Sequence, residues 1–472
     1  MDYDVLILGG GIIGCAVAYE LSKYSLNIAL IEKEYDIADE VAMVNSAIIY
    51  DGVENPDTLM SKLEVLGNSM FEEITQKFNV PFKKCGSYMI AQNQEQVVKI
   101  EELYEKAIKR GISQIEIVDD KYMYEVETNL NIPINKALYS HNTSVVAPYD
   151  LAIAYGEVAF DNGVNFKLEE EVIDIIKIST GYKIITNKNK FTCKTVINTA
   201  PKIDYTPGIS YTPAIDYNIE NNESNINILN SMLINRKNLF NSKKIIFTQN
   251  DQGEIIHSVN SLQGSSLFTA ESKTNFNFHE MKKVLNNFVQ GIEGKDIKTF
   301  FQAKHYKDPM IIDDSLIDNG YIKISGKHYA EVTMTPSIAK MVCETLVGNL
   351  KAKVKKDFID KRRDIFRFRE LSNVEKNKLI KMDKKYGKVI CLCQTVTEGE
   401  IIEAIRRPLG ARTVEGVRRR TGVTFGECEG AYCFDRIVSI LARETNKDIN
   451  QIVKSSKGSF VVKGRIKEFN EM

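Results

Sequence analysis

Three glycines near the start of the chain have the spacing of a dinucleotide site. Gly9, Gly11 and Gly14 form a G-x-G-x-x-G pattern, and Glu32 follows 18 residues after Gly14. Only glycine allows both the tight turn and the close approach of backbone to a pyrophosphate, whose charge then faces the N-terminus of the next helix. A carboxylate at Glu32 accepts hydrogen bonds from ribose hydroxyls and repels a 2'-phosphate. The pattern therefore predicts a dinucleotide site.

Four cysteines near the end of the chain have the residue types of a metal centre. Cys391 and Cys393 form a C-x-C pair, and after 34 intervening residues Cys428 and Cys433 form a C-x4-C pair. Thiolates from two points of the chain suit an iron–sulfur cluster. A structural zinc site is the alternative, although zinc ribbons usually pair their ligands as C-x2-C. No histidine follows His328, which excludes mixed Cys/His zinc ligation in this unit.

The glycines need a strand before them and a helix after them. Asp4 to Leu8 is an apolar run typical of a buried strand, and a helical pattern continues to about Tyr24. Ile28 to Ile31 predicts a second strand that ends at Glu32. Further helical and β-rich segments alternate, which predicts an α/β fold with an antiparallel insertion. We predict helices at 57–79, 94–110 and about 149–162, and strands at Val172–Ile178, Tyr182–Ile185 and Thr195–Ile197.

Two segments of biased composition separate these patterns. Residues 216–242 contain nine asparagines without a clear period, which predicts a loop-rich stretch. Residues 351–388 are dense in lysine and arginine, which predicts a solvated helical connector.

Short helices are predicted between and after the cysteines. Residues 397–400 read Thr-Glu-Gly-Glu, a capping box ahead of a helix over Ile401 to Arg406. Thr413 begins a second helix that ends at Gly422, and a third helix starts just after the last cysteine. Six arginines between 406 and 420 face one acid, Glu415. They either offset the negative charge of a tetrathiolate cluster or form an ordinary solvated face.

Length and composition exclude several classes of protein. The 472 residues correspond to about three domains, and 43% hydrophobic and 26% charged residues are typical of globular chains. A net charge of -1 argues against a nucleic-acid partner. No apolar run reaches the roughly 18 residues of a membrane span, and the first apolar run follows two aspartates rather than a basic segment. We therefore expect a soluble, unexported, cytoplasmic protein without a transmembrane segment; peripheral attachment to a membrane through a partner is the alternative.

Five segments spread over nearly the whole chain carry a family resemblance: Asp4–Ala16, Ile31–Lys33, Asn45–Ile49, Ser144–Tyr149 and Thr335–Ala339. They resemble the D-amino-acid-oxidase-type FAD oxidoreductases, and within them the branch of anaerobic glycerol-3-phosphate dehydrogenase and 2-hydroxyglutarate dehydrogenase. The resemblance implies that the dinucleotide is FAD. It also implies that Glu32 holds the adenosine ribose and that the backbone of Val172 contacts the adenine. Asn45 and Ser46 would then lie near the isoalloxazine.

Several positions expected beside the flavin ring depart from that family. Tyr50 stands where the family usually has histidine, and Ala200-Pro201 replaces an Ala-Gly turn. Ala330–Thr333 replaces Pro-Gly-Leu-Thr, so that an acidic residue, which crowds and repels a reduced flavin ring, replaces a glycine. The family's anion-binding Arg-Pro pair aligns with Lys304 and His305, which keep a positive charge without the bidentate fork. The candidate catalytic residues are therefore Lys304, His305 and Tyr50.

The segments around the cysteines carry a second resemblance. Residues Val389–Ile401, Arg420–Gly422 and Gly426–Cys433 resemble the bacterioferritin-associated-ferredoxin-like [2Fe-2S] domain. This resemblance implies a [2Fe-2S] cluster held by all four cysteines. The family usually has Arg-Cys-Gln-Gly where this chain has Glu-Cys-Glu-Gly at 427–430. Two added acids beside a ligand are expected to lower the reduction potential, because they oppose the addition of an electron.

Together these patterns predict an α/β protein in which a Rossmann-type FAD-binding domain carries a β-rich substrate or cap domain and a small all-α C-terminal [2Fe-2S] domain follows. The oxidoreductase domain is expected at 1–350. Its FAD part takes about 1–85, 145–202 and 305–350, and its cap part about 86–144 and 203–304. A basic linker at 351–385, the [2Fe-2S] domain at 386–450 and a tail at 451–472 complete the chain.

The cofactor pair indicates the function. A flavin converts between two-electron and one-electron steps, and an iron–sulfur centre accepts one electron at a time. The resemblance implies a dehydrogenase that oxidises glycerol 3-phosphate or a 2-hydroxy acid and passes electrons from FAD through the [2Fe-2S] centre to a partner, commonly a second flavoprotein. One alternative is an amino-acid or amine dehydrogenase of the same family. Another is a non-catalytic electron-transfer subunit with a degenerate flavin site.

Overall fold

The structure is a computed structural model, and it describes residues 1–38, 47–200, 226–234, 239–249, 255–260, 266–306, 310–326, 328–426 and 428–464. For residues 226, 259, 260 and 304–306 it describes the backbone alone.

Helices and strands alternate along the described chain. The helices are α1 (Ile12–Ser22), α2 (Thr58–Phe78), α3 (Gln94–Lys109), α4 (Asp120–Val126), α5 (Pro148–Asp161), α6 (Phe278–Phe288), α7 (Glu331–Leu350), α8 (Asn373–Met382), α9 (Glu398–Arg406), α10 (Val414–Thr421) and α11 (Phe434–Thr445). The strands are β1 (Tyr3–Leu8), β2 (Ile28–Ile31), β3 (Ile48–Ile49), β4 (Phe82–Lys84), β5 (Ser87–Ala91), β6 (Ile115–Asp119), β7 (Lys136–Ser140), β8 (Ser144–Val146), β9 (Asn165–Lys167), β10 (Val172–Ile178), β11 (Gly181–Thr186), β12 (Lys190–Asn198), β13 (Ile226–Ile234), β14 (Ile245–Gln249), β15 (Ile255–Asn260), β16 (Ser266–Ser272), β17 (Ile297–Tyr306), β18 (Ile311–Asp313), β19 (Tyr321–Ser325), β20 (Val389–Cys391) and β21 (Val396–Thr397).

The first sheet positions the glycine loop. Its strand order is β10-β11-β12-β1-β2-β9, with β19 beside β12 and β18 beside β19. Strand β1 lies between β2 and β12 and is parallel to both, so that Leu8 pairs with Ile31 and with Asn198. Successive residues of β1 point to opposite faces: Val5 and Ile7 belong to the core that includes α1, α5 and α7, while Leu6 belongs to a second core. Both faces are thus buried, as expected for central parallel strands.

The second sheet has eight strands in the order β17-β13-β16-β15-β14-β5-β7-β6. Most pairings are antiparallel, and the exception is the parallel pair β14–β5. Met281, Leu285 and Phe288 of α6 pack into its core. A separate three-stranded sheet, β3-β8-β4, carries Ile49, and Tyr50 follows that strand directly. Tyr50 therefore leaves from this small sheet rather than from either large one.

The C-terminal module has its own apolar core, built from α9, α10, α11 and the β20–β21 hairpin. The predicted helices are present: Thr413 caps α10, Gly422 ends it in the left-handed region, and α11 begins at Phe434. The helical module thus also contains a two-stranded hairpin.

Two expectations about the connecting segments are wrong. Residues 226–234, within the stretch predicted to be loop-rich, form β13, because that strand pairs on both sides with β16 and β17; residues 216–225 lie outside the description. The segment predicted as a solvated helical connector has an α-helix only at α8. Upstream of it, Arg362 is 4% exposed and binds Asp150 and Glu157 of α5.

Candidate functional site

The glycine loop joins β1 to α1 and is shaped by close backbone contacts. Gly9 has φ of +103°, a conformation that favours glycine, and a Cβ added to Gly14 would lie 2.1 Å from the Gly9 carbonyl oxygen. At Gly11 an added Cβ would meet no described atom within 4 Å. Gly11 is also the residue before α1, and no described side chain caps that helix N-terminus. The loop therefore has no room for a side chain at Gly14 but has open space beside Gly11, at the N-terminus of α1. This open space fits a pyrophosphate at the helix N-terminus.

Glu32 lies at the end of β2 and braces this loop. Its Oε2 accepts a hydrogen bond from the Gly10 N–H at 2.6 Å, and its Oε1 accepts one from the Glu34 N–H at 2.9 Å. Burial raises the pKa of Glu32, although both N–H donors favour its charged form. The segment before β10 is adjacent, because the Glu170 N–H donates to the Glu32 carbonyl oxygen at 2.9 Å. The structure thus brings Glu32 close to the chain that leads to Val172, at the start of β10.

The other predicted cofactor contacts lie elsewhere or beyond the description. Asn45 and Ser46 are outside the described residues. Lys304 and His305 lie on β17, where their backbones pair with Ile228 and Asn227, and their side chains are not described.

Tyr50 borders a cavity of about 330 Å³. Its ring centroid lies 4.8 Å from that of Tyr329, edge to face, and its backbone N–H donates to Thr333 Oγ1 in the first turn of α7 at 3.1 Å. The segment that differs from the family's Pro-Gly-Leu-Thr therefore lies next to this cavity. Glu331, the acidic residue in that segment, is 6% exposed and begins α7.

The described lining of the cavity is acidic and aromatic. It consists of Tyr50, Glu54, Asn55, Pro56, Asp57, Met60, Phe247, Ile255, His257, Glu271, His328 and Tyr329. Burial and the neighbouring Glu64 and Glu54 raise the pKa of Tyr329, which keeps its hydroxyl protonated. The sequence assigned no role to His257, His328 or Tyr329. The one available signal was that Tyr329 directly precedes the segment Ala330–Thr333, which is expected beside the flavin ring.

The four cysteines meet as two pairs. Cys393 Sγ lies 3.5 Å from Cys428 Sγ, and Cys391 lies beside Cys433, whose pKa is raised by burial and by Cys391. Cys391 and Cys433 are each 1% exposed, whereas Cys393 is exposed. Within the described part of the chain, no three Cys, His, Asp or Glu side chains surround a point where one ion would bind. A tetrahedral zinc site gathers its ligands around one ion, whereas two thiol pairs suit the two irons of a [2Fe-2S] cluster.

Backbone N–H groups lie against Cys428, which forms the outer pair with Cys393. The N–H of Tyr432, the Cys393 thiol and the N–H groups of Gly430 and Ala431 lower the pKa of Cys428. Burial and the neighbouring Cys391 raise the pKa of the inner Cys433 to about 11. Donors aimed at sulfur stabilise a thiolate, which is the form that binds iron. The arrangement fits a thiolate-held cluster with one inner and one outer side.

Three of the six arginines of this module do something other than the two roles expected for them. Arg407 binds Glu157 of α5 through Nε and Nη2, and Arg420 binds Asp36 through both terminal nitrogens. Arg419 donates to the backbone carbonyl oxygens of Ile37 and Ala38, which follow Asp36 directly. The remaining three, Arg406, Arg412 and Arg418, bind within their own module. These contacts dock the module onto the rest of the chain.

Comparison with known proteins identifies two families along the chain. The chain matches the FAD dependent oxidoreductase family (DAO) over residues 4–345 and the BFD-like [2Fe-2S] binding domain over residues 389–443. It is 35% identical to glycerol 3-phosphate dehydrogenase of Caloramator mitchellensis, over 98% of this chain and 99% of that protein. It is 33% identical to mitochondrial L-2-hydroxyglutarate dehydrogenase of Caenorhabditis briggsae, over 40% of this chain and 47% of that protein.

Solved structures share the fold. L-alpha-glycerophosphate oxidase of Mycoplasma pneumoniae, with FAD bound, superposes with a TM-score of 0.65 at 21% identity, covering 77% of this chain and 99% of that one. Glycine oxidase of Bacillus cereus gives a TM-score of 0.59 at 17% identity, covering 73% of this chain and 97% of that one. At these identities the likeness concerns the fold alone.

The fold and the two sites define an FAD-dependent oxidoreductase with a [2Fe-2S] domain. The chain belongs to the FAD dependent oxidoreductase (DAO) family. Within that family it is similar to a glycerol 3-phosphate dehydrogenase and to an L-2-hydroxyglutarate dehydrogenase. The predictions of FAD and of a [2Fe-2S] cluster are confirmed at the level of these families. Among the described residues, no helix combines the length and apolar character needed to cross a bilayer.

Proposed function

We propose that this protein is a dehydrogenase that oxidises glycerol 3-phosphate or a 2-hydroxy acid and delivers electrons through its [2Fe-2S] centre to an acceptor, commonly a second flavoprotein. FAD, when bound, supplies the conversion of a two-electron oxidation into single-electron release. The observation that carries the proposal is the docking of the cysteine module onto helix α5 of the FAD domain by the Arg407–Glu157 pair, whose side chains are 9% and 1% exposed. The 35% identity to a glycerol 3-phosphate dehydrogenase supports the substrate class. The site roles and domain boundaries predicted from the sequence belong to the same proposal.

The residues of this chain would divide the work as follows. The glycine loop and Glu32 bind the adenosine and pyrophosphate end of FAD. Tyr50 and Tyr329 close one side of the substrate cavity and, as neutral phenols, donate hydrogen bonds without adding charge. Lys304 is the candidate for the positive charge that an anionic substrate needs, and by strand register His305, its neighbour on β17, shares the face of the sheet that carries Glu271.

The acidic lining of the cavity favours a second candidate, an amine or amino-acid substrate. Glu54, Asp57 and Glu271 line the cavity, and no lysine or arginine is among its described lining residues. Carboxylates attract an ammonium group and repel a phosphate. Two of these carboxylates are engaged within the protein, because Asp57 caps α2 and Glu271 accepts a hydrogen bond from the Asn227 side chain.

An anaerobic substrate panel distinguishes these candidates. The protein, loaded with FAD and iron, is mixed with glycerol 3-phosphate, 2-hydroxyglutarate or a set of amino acids, and flavin bleaching and the electron paramagnetic resonance of the reduced cluster are recorded. We expect both signals with glycerol 3-phosphate or the hydroxy acid. Bleaching with amino acids alone would transfer the proposal to the second candidate. Bleaching without cluster reduction would remove the cluster from the electron route, and a protein that carries the cluster but binds no FAD would favour a non-catalytic electron-transfer subunit.

Lys304→Gln tests the source of the positive charge. We expect it to raise KM for an anionic substrate about tenfold or more and to leave the FAD content unchanged. Lys298→Gln, on the same strand β17, is the matched control. Equal KM values for both variants and the wild type would remove Lys304 from the substrate site.

A further inference from the structure

A three-residue turn, Asp36–Ala38, lies against the glycine loop. The Ala38 N–H donates to the Gly10 carbonyl oxygen at 2.9 Å, while the Gly10 N–H donates to Glu32 Oε2 at 2.6 Å. The residue between the first two glycines of the dinucleotide pattern is therefore held through both of its backbone polar groups. Displacement of the turn would remove one of these two restraints from the phosphate-binding loop.

The C-terminal module holds the same turn from its other side. Arg420 of α10 donates from Nη1 and Nη2 to the two carboxylate oxygens of Asp36 at 2.6 and 2.7 Å. The side chains of this pair are 4% and 2% exposed. Arg419 donates from Nη1 to the carbonyl oxygens of Ile37 and Ala38 at 3.4 and 3.3 Å. A bidentate pair without access to solvent is short-range, directional and poorly screened by salt.

Packing and backbone conformation show that the turn depends on its surroundings. Ala38 has φ of +62°, a left-handed conformation that a residue other than glycine adopts when neighbouring structure imposes it. Ile37 is fully buried, and a Cβ added to Gly156 of α5 would lie 2.5 Å from Ile37 Cδ1 and 3.3 Å from Leu409 Cδ1 of the module. A Cβ added to Gly416 of α10 would lie 2.7 Å from Asp36 Oδ2. The Asp36–Ala38 turn is therefore closely packed between α5 and α10 of the cysteine module.

We propose that α10 of the iron–sulfur module is a structural part of the FAD site. Arg419 and Arg420 are positioning residues that hold the Asp36–Ala38 turn, and through it Gly10, in the conformation that binds the dinucleotide. FAD is therefore retained tightly only while the cysteine module is folded and docked, and bound FAD in turn stabilises the docked module by the same factor. The inference rests on FAD binding and does not depend on the substrate or the electron acceptor.

Cluster occupancy then controls FAD retention. The module is a small unit whose core includes Cys391 and Cys433, two of the residues that would hold the cluster, so loss of the cluster is expected to loosen the fold that presents α10. Assembly is expected to follow one order, with tight FAD binding only after the cluster is in place.

Removal of iron from the full chain tests this coupling. The wild-type protein is stripped of iron anaerobically with a chelator, and the dissociation constant of FAD is measured by flavin fluorescence before stripping, after stripping and after reconstitution with iron and sulfide. We expect the constant to rise at least about tenfold on stripping and to recover on reconstitution. An unchanged constant after complete loss of iron would overturn the proposal. Substrate is absent throughout, so this result is independent of the proposed dehydrogenase activity.

Side-chain variants locate the coupling at the turn. Arg420→Gln is expected to weaken FAD binding about tenfold at wild-type iron content, and Arg420→Lys, which keeps the charge but loses the fork, less than that. Arg406→Gln is the matched control, because Arg406 binds Glu444 within the module and is 63% exposed. FAD affinities equal to the wild type in both Arg420 variants would contradict the proposal that Arg420 positions the phosphate-binding loop.

A double variant covers the case in which Arg420→Gln alone does not fold. Asp36→Asn combined with Arg420→Gln leaves no unpaired buried charge. It is expected to bind iron normally and FAD weakly, whereas normal binding of both would contradict the role assigned to the pair.

Discussion

The two ends of the FAD site are built in different ways. At the dinucleotide end, Gly9, Gly11 and Gly14 come from one stretch of chain, and the tightest contact, at Gly14, is with the backbone carbonyl oxygen of Gly9. At the cavity end, Tyr50, Phe247 and Tyr329 come from distant parts of the chain and meet through their side chains. Backbone geometry tolerates few substitutions, because only glycine avoids the close contacts. Side chains can be exchanged while the fold persists, so the cavity end is where a family can change its substrate.

The largest effect is expected from Gly14→Ala. Its new Cβ would lie 2.1 Å from the Gly9 carbonyl oxygen, a contact that forces β1 and α1 apart. Gly11→Ala is the matched control, because its Cβ meets no described atom within 4 Å. We expect Gly14→Ala to destabilise the fold by about 3 kcal/mol or more and Gly11→Ala to fold normally but to bind FAD at least about tenfold more weakly.

Thermal unfolding without FAD and flavin fluorescence titration measure these two effects separately. If Gly14→Ala unfolds at the wild-type temperature, the backbone contact is not what restricts this position. If Gly11→Ala binds FAD as tightly as the wild type, the open space before α1 does not receive the pyrophosphate.

This difference also explains what the sequence could predict. The glycine pattern, Glu32 and the four cysteines are recognisable because each places its chemical requirement in a short stretch of chain. The cavity was not predictable, because His257 on β15 and Tyr329 just before α7 lie far from Tyr50 in the chain and line the same cavity only in the folded protein. The docking arginines were misread for a related reason, since the partner of Arg420, Asp36, lies 384 residues away in the chain.

Tyr329→Phe tests whether the cavity end acts through side chains alone. The change removes a hydroxyl at the cavity and keeps the ring that packs against Tyr50. We expect unchanged FAD affinity and a decrease in kcat/KM of about tenfold, the size of one lost hydrogen bond of roughly 1.4 kcal/mol. Anaerobic reduction kinetics with the substrate identified by the panel provide the measurement.

Tyr155→Phe is the control for this variant, because the buried Tyr155 hydroxyl has no partner among the described residues. Its kinetics should equal those of the wild type. A decrease of equal size in both variants would mean that Tyr329 acts through general packing and not at the cavity.

A pH effect of smaller size is expected from Glu64 on α2. Burial raises the pKa of Glu64 from its ordinary value of 4.5 to about 8, while the Asn55 side chain donates to it at 2.5 Å. Because the folded pKa lies above the unfolded one, the stability due to protonated Glu64 is fully present below pH 4.5 and is lost as the pH rises towards 8. Glu64→Gln should therefore unfold at nearly the wild-type temperature at low pH and several degrees above it at pH 8.

Thermal unfolding between these pH values tests this expectation. Glu72→Gln, an exposed position on the same helix, should show no pH-dependent gain. A constant difference between Glu64→Gln and the wild type at all pH values would show that Glu64 does not titrate in this range.

The smallest effect is expected from Glu429 in the cysteine module. Here, as in the glycine loop, backbone atoms make the close contacts of the site. Backbone N–H groups of Tyr432, Gly430 and Ala431 lower the pKa of Cys428 and surround its sulfur, whereas the exposed Glu429 side chain contributes charge only. At about 8 Å and near-aqueous dielectric, one charge changes the energy of an added electron by roughly 0.5–1 kcal/mol. Glu429→Gln should therefore raise the cluster potential by roughly 20–40 mV for this one-electron couple.

A redox titration at two salt concentrations tests whether this shift is electrostatic. The shift should shrink at high salt, because an exposed charge is screened within about 10 Å. Glu344→Gln, the same charge change at an exposed position on α7, should leave the potential unchanged. A shift that persists at high salt would point to a rearranged Cys428 loop, since moving backbone donors is not screened by ions. In that case the side chain at position 429 would determine the backbone conformation around Cys428. The cluster site would then depend on side chains, as the cavity does, and not on backbone geometry alone, as the glycine loop does.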